Sequence, residues 1–259
     1  MIQDLLIQFQ INKKGLVMKP IQQDVRGQRE VQFYKDVFSD PSLAEFTQFM
    51  PQFHGVTKKT KDDGSVGEYL VMENLTNNFS KACIMDVKIG AKTYGPDATP
   101  EKMAQQDKSY KGTKVPFGFS VPGLNVFSGE NKDEVIMKGK DYGKTLTEKN
   151  IDQLLDMYLD VKSDIFLAKR LASVFIEELQ KIAALFETQT KFHFFASSLL
   201  FVYDAEGAKN NKSLGSNQLK QFVNVKMIDF AHVWPAPDHA KDQNYAKGVQ
   251  SLIQLFSKV

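Results

Sequence analysis

Residues Ala82–Gly90 read A-C-I-M-D-V-K-I-G, an apolar stretch of strand length that carries an acid and a lysine close to its end. Because side chains alternate between the two faces of a strand, Asp86 and Lys88 share one face, and the apolar residues that alternate with them form a buried face. An ionised side chain in an apolar strand is costly unless it is paired or hydrated. Gly90 then leaves room for a ligand or a backbone segment. This pattern indicates a polar site at the strand end, with an internal ion pair as the structural alternative.

The sequence before this strand predicts a small lobe. A hairpin is predicted over residues 5–20, where Pro20 ends the second strand because it lacks a backbone donor. Apolar residues at helical spacing predict a helix over 29–38, and Ser42 is a candidate cap for a second helical segment. A strand at 68–74 completes this lobe, which we expect to end near residue 73.

Lys19 and Glu30 form a second pattern. Lys19 lies in a predicted strand, and Glu30 lies in the helix that follows. Phosphotransferases of the protein-kinase type place a strand lysine on the nucleotide phosphates and orient it with a helix glutamate. The order and residue types fit that arrangement, although a lysine and a distant glutamate also occur together by chance.

The sequence after the strand predicts a larger lobe that mixes strands and helices. The helix over 167–187 has the apolar stripe of a helix packed on a core, and the last helix is similarly amphipathic. We expect this last helix to pack on the chain's own interior, and the protein to be a monomer. Helices are predicted at 167–187 and 245–256. Extended segments are predicted at 117–127, 133–140, 192–205 and 222–233.

Asp229 ends one of these apolar strands. A hydrophobic residue, Asp and Phe in succession after a strand is the setting in which kinases hold the magnesium of a nucleotide, since a hard cation prefers carboxylate oxygens. His232 follows three residues later. A buried, hydrogen-bonded aspartate with a structural histidine is the alternative interpretation.

Lysines are frequent in the polar stretch after Gly90. Acids dilute this stretch, and most lysine-rich loops are simply solvated. Ammonium groups close to Asp86 and Lys88 would nevertheless suit a substrate with several phosphates. The lysines are Lys92, Lys102, Lys108, Lys111 and Lys114.

Composition narrows the class of protein. The chain has 259 residues, 42% of them hydrophobic and 25% charged, with a formal net charge of +2. This near balance argues against a general polyanion binder such as a nucleic-acid coat protein. The single cysteine, Cys83, cannot form an internal disulfide, and no apolar stretch is long enough for a membrane span. We therefore expect a cytosolic or nuclear protein without membrane insertion.

These motifs together resemble the inositol polyphosphate kinase family, especially its inositol hexakisphosphate kinase branch. Ala82–Gly90 keeps four of the five fixed letters of the family signature Pro-x-x-x-Asp-x-Lys-x-Gly and departs only at Ala82. Alanine in place of proline at position 82 affects how the chain enters the strand. The charged residues of the signature are unchanged. Further similar segments are A-K-T-Y-G-P-D-A-T-P-E-K at Ala91–Lys102, K-D-Y-G at Lys140–Gly143, S-S-L-L at Ser197–Leu200 and M-I-D-F-A-H at Met227–His232.

The resemblance implies a two-lobed α+β fold of the protein-kinase-like or ATP-grasp-like kind. Residues 1–73 would form a small nucleotide-binding lobe with an antiparallel sheet, and residues 74–259 a larger catalytic lobe. Lys19 would hold the phosphates of ATP, and Glu30 would orient Lys19. The backbone of Glu73 and Leu75 would bind adenine at the hinge. Asp86 would contact the nucleotide, and Asp229 would bind its Mg²⁺.

The resemblance also implies how an inositol polyphosphate substrate would be bound. Asp86 and Lys88 would be the catalytic pair, with Lys88 bridging the transferred phosphoryl group and the substrate. Residues 92–115 would form the inositol-phosphate-binding segment. Lys102 and Lys108 would bind the substrate phosphates, and the weaker candidates for this role are Lys92, Lys114 and Lys144. His232 would lie near the substrate, and Ser197 would support the site.

One feature of the family is reduced. A glycine-containing loop normally precedes the nucleotide lysine, and only Gly15 is present before Lys19. Either the loop that covers the phosphates is shortened, or the sequence begins within that loop.

The function implied is transfer of the γ-phosphoryl group of ATP to an inositol polyphosphate. The short segment 91–116 favours a highly phosphorylated acceptor, so inositol hexakisphosphate, giving an inositol pyrophosphate, is the preferred substrate. The alternatives are a multikinase or a trisphosphate 3-kinase that phosphorylates ring hydroxyls, and a catalytically dead module that binds inositol phosphates.

Overall fold

The N-terminal part of the chain is built on a four-stranded antiparallel sheet. A computed structural model of the protein describes residues 10–61, 63–127 and 134–259. The strands are β1 (Gln10–Ile11), β2 (Val17–Pro20), β3 (Phe53–Thr60) and β4 (Val66–Met72), in the order β1-β2-β4-β3. The predicted hairpin is confirmed for its described residues; residues 5–9 lie outside them. β3 was not predicted from the sequence.

A long helix covers this sheet. α1 (Val25–Ser39) begins where the Asp24 side chain accepts a hydrogen bond from the Arg26 N–H. The predicted Ser42 cap is wrong. Asp40 is the capping residue, because its carboxylate accepts from the Ser42 N–H at 2.8 Å and starts a short 3₁₀ turn, Pro41–Leu43. α2 (Ala44–Thr47) follows that turn.

The remaining chain surrounds a five-stranded antiparallel sheet. Its central strand is β5 (Ala82–Ile89), the stretch that carries Asp86 and Lys88. The order of the strands is β10-β9-β5-β6-β7. The other strands of this sheet are β6 (Phe119–Phe127), β7 (Val135–Lys138), β9 (Ser198–Asp204) and β10 (Val223–Ile228), and β5 pairs directly with β6 and β9. A separate pair joins β8 (Phe192–Phe194) to β11 (Val233–Pro235).

Helices cover the larger sheet and connect its strands. The longest helix, Ile165–Thr188, has a buried stripe that packs against the last helix, as the apolar spacing predicts. The helices in this part are α3 (Pro100–Lys108), α4 (Lys111–Phe117), α5 (Lys140–Thr145), α6 (Asp152–Tyr158), α7 (Ile165–Thr188), α8 (Ala205–Asn210), α9 (Ser216–Leu219) and α10 (Gln243–Phe256).

One hydrophobic core runs through both sheets. Phe230, fully buried after β10, lies 4.9 Å from the ring of Phe33 on α1 and 6.2 Å from that of Phe194 on β8. The architecture is α+β with a kinase-like pair of sheets, which confirms the predicted fold class. Among the described residues, no helix is both long and apolar enough to cross a membrane.

Candidate active site

Lys19 joins the two parts of the molecule. It lies on β2 opposite Leu70 of β4, and its side chain is only 16% exposed. The Lys19 Nζ donates to Glu30 Oε1 at 2.7 Å and to Asp229 Oδ1 at 2.6 Å. Burial alone would lower the pKa of Lys19, but the two carboxylates outweigh it and raise that pKa. Lys19 therefore stays charged, and its predicted pairing with Glu30 is confirmed.

Asp229 is placed by an unusual backbone conformation. Its φ is +63°, in the left-handed region, where Asp and Asn are among the better tolerated residues. The next N–H, that of Phe230, donates to Glu30 Oε1 at 3.3 Å, which fixes the turn against α1. Burial would raise the pKa of the Asp229 carboxyl, but Lys19 and then Lys88 hold that pKa below its usual value. Asp229 is thus an ionised carboxylate at the end of β10.

Asp86 is buried in the middle of the larger sheet, between Gly123 of β6 and Leu200 of β9. Burial raises the pKa of its carboxyl from 3.8 to about 6, Lys88 opposes this rise, and the charge of Asp229 adds to it. Asp86 Oδ1 is buried and has no hydrogen-bond partner among the described residues. The carboxyl therefore faces the same charged cluster as Lys19 with one acceptor unused.

Lys88 lies two residues further along the same face, as the alternation predicts. Its Nζ donates to the Ala196 carbonyl at 3.1 Å, and Ala196 itself adopts a φ of +54°. Ser197, next in the chain, is fully buried, and its carbonyl accepts from the Ile89 N–H at 3.0 Å. The S-S-L-L segment thus joins the ends of β5 and β9 and fixes where Lys88 points.

A cleft of about 420 Å³ lies where the N-terminal sheet meets the larger part. Glu73 and Leu75 line it together with the turn that contains Gly15. The Leu75 carbonyl accepts from Asn224 Nδ2 at 2.8 Å, whereas the Leu75 N–H and the Glu73 carbonyl have no partner among the described residues. The predicted hinge therefore presents a free donor and a free acceptor to this cleft.

Residues 92–115, called the lysine-bearing segment below, contain α3 and most of α4. Thr99 caps α3, accepting from the Lys102 N–H at 3.3 Å, and this confirms the predicted short helix with Lys102 and Lys108. Lys92 is exposed, with its Nζ 5.2 Å from the ring of Tyr94 and 5.4 Å from that of Phe195.

Two of the weaker lysine candidates have other contacts. Lys114 is buried and donates to Thr93 Oγ1 at 3.1 Å and to the Gln106 carbonyl at 2.7 Å. These bonds brace the segment from inside, and a contact of Lys114 with substrate stays a prediction. Lys144 pairs with Asp141 on its own helix at 3.1 Å, so its contact with substrate stays a prediction.

His232 lies between the segment and α1. Burial lowers the pKa of its imidazole, Lys102 lowers it further, and Asp97 opposes them. Its Nδ1 is buried without a partner among the described residues. His232 is thus kept neutral, beside the helix that carries Lys102.

Three contacts around this segment were not found from the sequence. Arg29 pairs with Asp97 at 2.8 Å and lies over the ring of Trp234. Asn244 of α10 binds the backbone of Lys92 through both ends of its amide, each at 3.0 Å. The sequence analysis treated Asp97 only as an acid that reduces the positive charge of the lysine-rich stretch. Its position two residues before the Thr99 cap was the signal that could have pointed to a structural contact.

The comparisons with known proteins identify the family. The family model described as inositol polyphosphate kinase matches residues 69–257. The chain belongs to the inositol polyphosphate kinase family. This agrees with the Ala82–Gly90, Ser197–Leu200 and Met227–His232 motifs, which lie on or next to the adjacent strands β5, β9 and β10.

Multikinases are prominent among the relatives. The human inositol polyphosphate multikinase is 33% identical over 211 residues, which are 80% of this chain and 49% of that protein. The Arabidopsis thaliana inositol polyphosphate multikinase alpha is 30% identical over 263 residues, which are 96% of this chain and 88% of that protein. The chain therefore spans about half the length of the mammalian multikinases and most of the plant one.

The chain is also similar to a hexakisphosphate kinase, with lower identity than to the two multikinases named above. The mouse inositol hexakisphosphate kinase 3 is 27% identical over 203 residues, 74% of this chain and 50% of that protein.

The solved structure of the inositol phosphate multikinase Ipk2 of S. cerevisiae, in complex with ADP and Mn²⁺, has a TM-score of 0.74 at 26% identity, and the match covers 94% of this chain and 98% of that one. These findings favour the multikinase alternative over the preferred hexakisphosphate kinase interpretation.

Proposed function

We propose that the protein is an ATP-dependent kinase that transfers the γ-phosphoryl group to a ring hydroxyl of an inositol polyphosphate. The observation that carries this proposal is the ion pair of Lys19 with both Glu30 and Asp229, next to the buried carboxyl of Asp86. A nucleotide lysine, a cation-binding acid and a candidate base then occupy one cluster. Family membership and the chemistry of this cluster support the same reaction.

The cleft at the junction of the two sheets suits adenine. Adenine has a donor at its amino group and an acceptor at the adjacent ring nitrogen. The free Glu73 carbonyl and the free Leu75 N–H offer the complementary pair. Lys19 would then meet the phosphates.

Asp229 fits a divalent cation that arrives with the nucleotide. No three His, Cys, Asp or Glu side chains of the described residues form a cluster that could hold a metal ion by themselves. Mg²⁺ commonly takes one or two carboxylates and completes its shell with phosphates and water. Asp229 is 37% exposed and uses only Oδ1 on Lys19, so its second oxygen can serve as that ligand. A bound Mg²⁺ would neutralise phosphate charge.

Asp86 supports a hydroxyl acceptor. A base with a pKa of about 6 is ionised at neutral pH and still basic enough to take a proton as the reaction proceeds. The acceptor oxygen forms a bond to the γ-phosphorus, the bond from that phosphorus to the β,γ-bridging oxygen breaks, and ADP leaves. The hydroxyl proton passes to the Asp86 carboxylate, while Lys19 and Lys88 stabilise the charge on the transferred group.

Pyrophosphate formation on inositol hexakisphosphate is the second candidate. The observation that favours it is the short segment with exposed or half-exposed Lys92, Lys102 and Lys108, which would accept a densely charged substrate. A phosphate acceptor is already ionised, so it would leave the basicity of Asp86 without a role. Asp86 and the multikinase relatives therefore support the hydroxyl acceptor.

The test is to incubate the purified protein with ATP and Mg²⁺ and a panel of inositol tris-, tetrakis-, pentakis- and hexakisphosphates, separating the products by chromatography. We expect ring-hydroxyl phosphorylation of the lower inositol phosphates. Pyrophosphorylated product from the hexakisphosphate alone would establish the second candidate in its place.

A matched pair of variants tests whether the loss of turnover is specific to Lys88. Lys88→Ala should abolish turnover while leaving the thermal unfolding temperature close to that of the wild type. Lys258→Ala, which breaks an exposed pair with Asp152, should leave turnover unchanged. Binding of inositol phosphates without any phosphorylated product in the wild type would show a catalytically dead module.

A further inference from the structure

Arg29 holds two groups from different parts of the chain. Its guanidinium is 2.8 Å from Asp97 Oδ2 in the lysine-bearing segment and lies over the Trp234 ring of β11, 4.2 Å from the centroid. The side chains of Arg29 and Asp97 are only 26% and 36% exposed. A planar guanidinium can donate to a carboxylate in its plane while its face stacks on the ring, and an ammonium lacks such a face. We call Arg29, Asp97 and Trp234 the Arg29 clamp.

Trp234 also packs closely on the segment itself. A Cβ at Gly95 would lie 2.3 Å from Trp234 Nε1, so the indole fills the space that a side chain at position 95 would need. The Nε1 is buried and has no hydrogen-bond partner among the described residues. The ring is therefore held between the segment backbone on one side and Arg29 on the other.

The clamp connects the two halves of the candidate site. Arg29 directly precedes Glu30, which binds Lys19. Asp97 lies two residues before Thr99, the cap of the helix that carries Lys102. A displacement of α1 would therefore be transmitted through one side chain to the start of that helix.

The clamp borders the proposed position of the substrate. Lys102, Asp97 and Arg29 all act on the charge of His232, so these four groups lie within electrostatic range of one another. Arg26, one turn before Arg29, acts on His232 as well, but it is paired with Asp24 on its own helix. Arg29 of α1 makes a direct ion pair with the segment through Asp97.

We propose that Arg29 is a positioning residue that fixes the inositol-phosphate-binding segment relative to the nucleotide lysine. The inference rests on the proposed function, because it assigns this segment to the acceptor substrate. Without the clamp the segment would sample more positions, and the acceptor would lose affinity. The nucleotide contacts, which involve Lys19 and the hinge, would stay intact.

Steady-state kinetics tests this role with paired variants. Asp97→Asn and Arg29→Gln should each raise the KM for the inositol phosphate by about threefold to tenfold, the range expected for an ion pair strengthened by a stacked aromatic ring. kcat and the KM for ATP should stay within about twofold. Arg29→Lys should fall between the wild type and Arg29→Gln, because it keeps the charge and loses the planar stack.

The double variant tests whether the two residues act as one unit. Arg29→Gln with Asp97→Asn should be no worse than either single change, since each already removes the contact. Asp152→Asn serves as the matched control, because it breaks an exposed Asp–Lys pair of 2.9 Å and should leave both KM values unchanged. Fully additive effects in the double variant would overturn the proposal.

Trp234 offers a readout that does not depend on turnover. It is the single tryptophan of the chain, so the fluorescence of the whole protein reports on the clamp. Asp97→Asn should shift its emission to longer wavelength as water reaches the indole. Titration with inositol hexakisphosphate should change the emission of the wild type and require higher concentrations in Asp97→Asn.

The outcomes separate this inference from the function on which it rests. A wild type that phosphorylates inositol phosphates, with KM values for the acceptor unchanged in Asp97→Asn and Arg29→Gln, would overturn the clamp alone. A wild type that phosphorylates none of them would overturn the proposed function, and a clamp that still responds to inositol hexakisphosphate by fluorescence would then survive as part of a binding site.

Discussion

Asp86 shows how one residue can be placed by the sheet and tuned by its burial. The alternation of β5 puts it on the polar face, and its neighbours on β6 and β9 exclude water from it. The pKa of its carboxyl rises to about 6 because burial penalises the ionised form more than Lys88 stabilises it. The burial that raises this pKa therefore costs stability whenever Asp86 is ionised.

This cost gives a pH dependence of known sign. The pKa of Asp86 is higher in the folded state than in the unfolded chain, so the folded state binds more protons between pH 3.8 and about 6, and stability falls as pH rises through that window. Asp86→Asn removes the ionisation. Its free energy of unfolding relative to wild type should rise by about 2 kcal/mol between pH 4.5 and pH 7.5, measured by urea denaturation without metal or nucleotide.

A control with the opposite sign is available in Asp40. Asp40 caps the 3₁₀ turn by accepting a hydrogen bond from the Ser42 N–H, and this bond lowers the pKa of its exposed carboxyl, so Asp40→Asn should lose stability relative to wild type as pH rises. If the difference in free energy of unfolding between Asp86→Asn and the wild type is instead the same at every pH, the pKa of the Asp86 carboxyl is not raised in the folded state.

At the residue scale the sequence predicts partners that are close along the chain and misses those that are remote. Lys19 and Glu30 are 11 positions apart, and a strand followed by a helix brings them together. Asp229 contacts Lys19 across 210 positions, which the residues alone do not determine. The motif resemblance suggested both as nucleotide residues, and the direct contact between them is a finding of the structure.

The elements around β5 depend on one glycine. Gly90 ends the strand with a φ of +104°, and its Cβ would lie 2.3 Å from Asn244 Nδ2. Asn244 cannot easily move aside, because its amide holds the Lys92 N–H and carbonyl. The entry to the lysine-bearing segment is thus fixed by a backbone that only glycine fits.

Substitution at this position should be costly for two separable reasons. Gly90→Ala carries the penalty of a left-handed backbone and also breaks the Asn244 contacts with Lys92. Gly64→Ala, at a φ of +80° with nothing within 4 Å, carries only the first penalty. Gly90→Ala should therefore be less stable than Gly64→Ala by about 1–2 kcal/mol in chemical denaturation.

Removing the obstructing side chain checks the explanation. In an Asn244→Ala background, Gly90→Ala should cost less than it does in the wild type, because the 2.3 Å contact with Asn244 is gone while the backbone penalty and a 3.0 Å contact with the Lys92 carbonyl remain. An unchanged cost of Gly90→Ala in that background would mean that Asn244 is not the reason for the glycine.

Elements were predictable where apolar spacing was strong. The spacing indicates α1, α7, α10 and the central strands, and all of these are confirmed. β3 was missed because its sequence, F-H-G-V-T-K-K-T, has few apolar residues and its outer half is exposed. It pairs with β4 at the edge of the sheet, where a strand needs little burial. Such an element follows from the hydrogen-bonding needs of its neighbour more than from its own residues.

At the scale of the whole molecule, the two sheets share one core. The Met227 N–H donates to the Phe49 carbonyl at 2.7 Å, and the Lys226 Nζ donates to the Gln48 carbonyl at 2.6 Å, so β10 is bonded directly to the chain after α2. Phe230 packs its ring against Phe33 and Tyr34 at 4.9 and 5.3 Å. The boundary predicted near residue 73 is therefore crossed by both hydrogen bonds and core contacts.

A shared core predicts that the protein unfolds as a unit. Phe230→Ala removes a fully buried ring at the junction and should cost about 3–5 kcal/mol, whereas Phe166→Ala, at a side chain 79% exposed, should cost less than about 0.5 kcal/mol. Circular dichroism and Trp234 fluorescence should report the same midpoint in wild type and in Phe230→Ala. Two separate midpoints in the wild type would mean that the sheets are independent domains, and Phe230 could then destabilise only the part in which it is buried.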